Sequence, residues 1–114
     1  VSARVALGGA IVIAAASVAA VGCVSPIPNP GAAHVNAAST VYPGTTVEEL
    51  REGRSLYVAK CAGCHQLYLP SHLAPARWPA SVSEMRERAA ISEAHEKMIS
   101  KYLVAAALVG AAGD

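Results

Sequence analysis

Residues 46 to 65 read TVEELREGRSLYVAKCAGCH, and this stretch decides the fold. Thr46 has a side-chain oxygen able to accept from the first free amides of a helix, and Glu49 stands three residues on to reciprocate, the pattern of a capping box. Glu48, Glu49 and Glu52 put negative charge at the positive end of the helix that would follow. Leu50, Gly53, Leu56 and Tyr57 then recur at helical spacing and predict one buried stripe running into Cys61. Gly53 weakens a helix, so its presence in that stripe implies close approach by another element.

Working outward, the spacing predicts a second helix over Pro79 to Ala90, with proline tolerated in its first turn and Val82, Met85 and Ala89 stacked on one face. A third begins after Ser92, a good cap, and runs through Met98, Ile99, Tyr102 and Leu103 into an alanine-rich tail. No strand pattern competes and no repeat is visible, so the fold class is all-α. The 114 residues leave room for one small domain plus targeting apparatus. Apolar residues make up 54% of the chain, but much of that is terminal alanine, and Phe is absent. In so small a region a bare core is only marginally stabilising, and a bound cofactor often supplies what is missing.

Val5 to Val24 carries no charge and follows a start holding only Arg4, as in a secretory signal. Ala20-Val21-Gly22-Cys23 resembles the lipobox of bacterial lipoproteins, which implies lipid on Cys23. Ordinary cleavage is an alternative, and so is retention as an anchor, because about 20 uncharged residues span a bilayer. All three readings put the remainder outside the cytoplasm, in a periplasmic or extracytoplasmic space and membrane-tethered in two of them. Residues 1–22 are thus expected to be a signal peptide or anchor. Residues 23–44, with Pro26, Pro28, Pro30, Gly31, Pro43 and Gly44, read as a flexible linker of roughly 25 Å reach that includes His34. Residues 45–114 form the helical domain.

The chemistry lies in Cys61-Ala62-Gly63-Cys64-His65, which matches the Cys-x-x-Cys-His pattern of covalent haem attachment. Cysteines three apart on a helical turn face the same way, so both thiols can form thioethers with the vinyl groups of one porphyrin, and the adjacent imidazole can bind iron from below. A thioredoxin-like redox pair would sit beside a strand, for which there is no signal. A zinc site needs four ligands, and no second closely spaced pair follows.

With these residues the chain resembles the monohaem, class I-like cytochromes c, from about Glu49 to Leu103. The resemblance rests on Gly53-Arg54-Ser55-Leu56-Tyr57, on Cys61 to His65 with Leu67 and Pro70, and on Ile99-x-x-Tyr102-Leu103. It implies that the first and last helices of the domain cross, Gly53 and Tyr57 meeting Tyr102 and Leu103, and that the Pro70 carbonyl holds the proximal imidazole of His65. It also implies a distal ligand from a later segment. Met85, which follows Trp78 and Val82 in a Trp-x-x-x-Val-x-x-Met spacing, leads, with Met98 and His72 as rivals and His95 as a solvated residue. Trp78 is expected to shield a haem edge or to pack in the core, and Arg77 to face a propionate or solvent.

The expected function is electron carriage by one covalent haem c, cycling iron between ferrous and ferric forms and serving redox partner proteins. No enzyme, small-molecule substrate or catalytic residue is expected. The alternative is a five-coordinate haem protein that binds a gas or reduces peroxide. Nine basic and eight acidic residues, a net +1 with no long run of either sign, exclude nucleic acid as a main partner.

Overall fold

A computed structural model of the chain describes residues 26–113, together with Ser2, Gly8, Gly9 and residues 13–17. The described residues contain four α-helices and no strand: α1 (Ala32–Ser39), α2 (Val47–Cys61), α3 (Trp78–Met85) and α4 (Glu93–Ala112), with short 3-10 turns at Pro70–His72 and Pro75–Arg77. Among them no helix is long and apolar enough to cross a membrane. The expected lipidation at Cys23 lies outside the described residues, as does most of the expected signal segment.

Thr46 starts α2 as its sequence predicts. Its hydroxyl accepts from the Glu49 amide at 3.2 Å while Glu49 Oε2 accepts from the Thr46 amide at 3.0 Å, so two otherwise orphaned donors are satisfied. The bond from the Thr46 amide, with Lys101 beside it, holds the Glu49 carboxyl below its usual value. Ser92 likewise caps α4 by accepting from the His95 amide. The buried face of α2, made of Leu50, Gly53, Leu56 and Tyr57, lies on Ile99, Tyr102 and Leu103 of α4, all three fully buried. Gly53 makes that crossing possible. A Cβ there would collide with the Met98 carbonyl oxygen and come within 2.9 Å of Tyr102 Cβ.

α3 is shorter than its periodicity predicts, ending at Met85, and the chain makes a further turn over residues 86–90. That turn closes as a Schellman motif: the Ile91 amide bonds the Arg86 carbonyl, the Ala90 amide bonds the Glu87 carbonyl, and Ala90 takes the left-handed conformation at φ 51°. Ile91 then drops into the core.

The stretch expected to be a flexible linker is, from residue 26 onward, docked on the domain. Ile27 is 3% exposed and belongs to the main core. The Arg54 guanidinium donates to the carbonyls of Ile27 and Pro28, and the Tyr102 hydroxyl donates to Pro28 O at 2.6 Å. α1 then seats Ala38 against Leu50 and Ala105, all fully buried. Small side chains at Ala38 and Ala105 let the two helices approach closely, and Ala106 and Ala107 are buried in the main core, so this part of the alanine-rich tail of α4 is core rather than surplus.

Candidate functional site

One cleft collects most of the residues that the sequence singles out. Trp78, Val82 and Met85 are spaced i, i+4, i+7, so α3 turns all three to the same side, where they line the cleft. α2 contributes Tyr57 and Cys61, one turn apart. The chain then leaves the helix through Ala62 and Gly63, and this turn brings Cys64 and His65 to the same cleft. Val82, Ile91 and Leu103 give it an apolar lining, while the exposed Lys60 and Arg88 stand at its rim. Its volume is about 180 Å³.

Burial governs the protonation of the groups inside. It pushes the Cys61 thiol up, so the neutral thiol prevails there at pH 7, whereas Cys64 is exposed. Burial, reinforced by the nearby Cys61, pushes the Tyr57 phenol up to about 12, and its hydroxyl donates to the Tyr68 carbonyl at 2.7 Å. His65 is exposed, with Nδ1 2.8 Å from the Gln66 carbonyl oxygen. A carbonyl can only accept, so Nδ1 carries the proton of the neutral imidazole and Nε2 keeps a free lone pair, the atom suited to bind a metal.

The other residues fall on both sides of the expectations. Trp78, 3% exposed, is both core and cleft wall: it packs edge-on against Tyr57 and donates its indole N–H to Pro70 O at 2.8 Å. In this structure the Pro70 carbonyl accepts from Trp78, while the His65 imidazole bonds the Gln66 carbonyl. Arg77 is exposed and does not line the cleft, because it ends a 3-10 turn ahead of α3. Of the three candidate distal ligands only Met85 lines the cleft. Met98 packs against the core from α4, and His72 stacks on Tyr68 with ring centroids 4.3 Å apart. His34, expected in a linker, sits in the first turn of α1 and accepts the Gly31 amide on Nδ1.

Sequence reasoning did not single out Lys60, Arg88 or Tyr68. Lys60 adjoins Cys61 and was open to recognition as a flanking cation, but Arg88 reaches the rim only because the chain makes an extra turn after Met85. Among the described residues no three His, Cys, Asp or Glu side chains converge as a protein-only metal site requires. No family model, no curated protein and no solved structure matches the chain.

Proposed function

We propose that this chain is a monohaem c-type cytochrome of class I-like fold that carries single electrons outside the cytoplasm. What carries the reading is the convergence of Cys61, Cys64 and His65 with Met85 on one apolar cleft. The residues present fit the group. Two thiols answer to two vinyl carbons, an imidazole and a thioether come from different elements, and Lys60 and Arg88 at the rim can neutralise carboxylates.

In this reading Cys61 and Cys64 would hold haem c through thioethers, His65 and Met85 would offer it a nitrogen and a sulfur ligand, and haem c, when bound, would supply one-electron exchange. The chain's own part is electrostatic and steric. Trp78, Val82, Ile91 and Leu103 exclude water and favour the less charged state of a buried centre, and a thioether ligand raises its potential. Partners are redox proteins that approach the open side of the cleft, and the N-terminal segment serves export and attachment to a membrane.

The test is the protein itself, produced with haem-attachment machinery. Haem that stays with the polypeptide through acid–acetone extraction, and a low-spin reduced spectrum indifferent to carbon monoxide, are the expected results. Haem lost on extraction would remove the reading. Rapid stoichiometric carbon monoxide binding at neutral pH would replace electron carriage by the gas-binding or peroxide-reducing alternative. Cys64→Ala should leave at most one thioether and sharply reduce the haem retained on a denaturing gel.

A further inference from the structure

We propose that Tyr57 is a positioning residue that sets the orientation of the His65 ring through Tyr68, an assignment that rests on His65 being the iron ligand. Tyr57 lies one helical turn before Cys61, and its ring is wedged between Trp78 and Tyr102, with centroids 6.5 Å from each. That packing fixes where its hydroxyl points. The hydroxyl donates to the backbone carbonyl of Tyr68, eleven residues on, at 2.7 Å. The buried phenol keeps its proton through neutral pH and well above it, so the bond holds throughout the working range.

Tyr68 is the intermediate. Its side chain is half exposed, and its ring is placed by the anchored backbone together with its stack on His72. The Tyr68 ring approaches the His65 ring at 5.4 Å between centroids, tilted by 44°, and stacks on His72. The His65 ring is thus restrained at two places: Nδ1 by the Gln66 carbonyl and the ring by Tyr68. The first restraint is local and survives loop movement, because Gln66 is the next residue. The second depends on where Tyr68 stands, and therefore on the Tyr57 hydroxyl. A ligand imidazole held by outer groups binds its metal more tightly than one free to turn.

Three variants separate this role from general stabilisation. Tyr57→Phe removes only the hydroxyl, Tyr68→Ala removes the ring, and Tyr68→Phe keeps it. In the full chain without cofactor, the upfield ring-current displacement of the His65 ring protons in the NMR spectrum should shrink in Tyr57→Phe, vanish in Tyr68→Ala and persist in Tyr68→Phe. In the haem-loaded ferric protein, Tyr57→Phe and Tyr68→Ala should weaken the hold on iron about tenfold, moving the acid loss of the low-spin spectrum up by about one pH unit, with Tyr68→Phe unchanged. Unaltered His65 shifts in Tyr57→Phe overturn the proposal. Should that variant not fold, Tyr68→Ala at its exposed position decides alone, and His65 signals identical to the parent's overturn it. A chain that takes up no haem defeats the haem reading, while the NMR comparison still decides the positioning role.

Discussion

The indole N–H of Trp78 donates to the carbonyl oxygen of Pro70 across eight residues, at 2.8 Å and in a buried setting. This bond ties the loop after the cysteine motif to the first residue of α3, and so holds together two elements that line the cleft. Trp78→Phe keeps an aromatic ring but leaves the carbonyl without its donor. Such a group costs about 1 to 3 kcal/mol, so urea unfolding should show a loss of that size with little change in slope. A loss well below about 0.5 kcal/mol would mean that water replaces the indole without penalty.

Gly53 tests the crossing of α2 and α4. Alanine is the better helix former by about 1 kcal/mol, so on an isolated α2 the Gly53→Ala change would stabilise. In the folded chain the new methyl meets the Met98 carbonyl, which is backbone and cannot swing away. The helices must separate, and the net result should be destabilisation of about 1 to 3 kcal/mol, read as a lowered Tm in calorimetry.

Ala90→Gly should move stability the other way. Ala90 holds φ 51°, a conformation that costs a side-chain-bearing residue about 1 to 2 kcal/mol and glycine little. Part of that gain is offset by the extra freedom of glycine in the unfolded chain, leaving a net stabilisation of about 0.5 to 1 kcal/mol in denaturant unfolding.

These two sites also mark how far the sequence could be read. The Thr46–Glu49 cap, the α2 stripe and the small residue at Gly53 are local signals, written within one or two turns, and the structure follows them. The docking of residues 26–44 leaves no such trace. It is made by Arg54 and Tyr102 reaching backbone carbonyls 26 to 74 residues away, and by alanine against alanine, none of which creates a periodicity. Pro28, which reads as linker punctuation, instead presents one of those carbonyls, and Ile27 the other. At the cleft, Cys61, Cys64, His65, Trp78 and Met85 are legible because motif and helical spacing bring them to one place. Arg88 is not, since what brings it to the rim is the path of the chain after α3.

Acid should loosen α1 before the rest. His34 accepts the Gly31 amide on Nδ1, and burial lowers its affinity for a proton below the usual value of 6.5. The unfolded chain then binds the proton more readily than the folded one. The contribution is therefore fully present above about pH 6.5 and is lost as pH falls from there through the folded value. Hydrogen exchange at residues 31–38 should accelerate between pH 7 and pH 5 relative to α4. In His34→Gln, which can still accept but does not titrate, this dependence should disappear.

On the proposed haem reading, the distal ligand gives the sharpest contrast between two side chains of the same type. Met85 lines the cleft from the last position of α3, whereas Met98 lies on α4 against the core, its carbonyl under Gly53. In the haem-loaded protein Met85→Ala should leave covalent attachment and His65 untouched but remove a soft sulfur that favours ferrous iron. The potential should fall, the ferric spectrum should turn toward high spin, and the reduced spectrum should become sensitive to carbon monoxide. Met98→Ala should leave the spectrum low spin. Because Met98 is only partly buried, its cost in unfolding should lie near or below the low end of the roughly 2 to 5 kcal/mol typical of buried methionine truncation. If the two variants exchange behaviours, the sulfur on iron belongs to α4, and the cleft would have to open along that helix to admit it. If neither changes the spectrum, the ligand must come from the loop that carries His72, whose ring would first have to leave its stack on Tyr68.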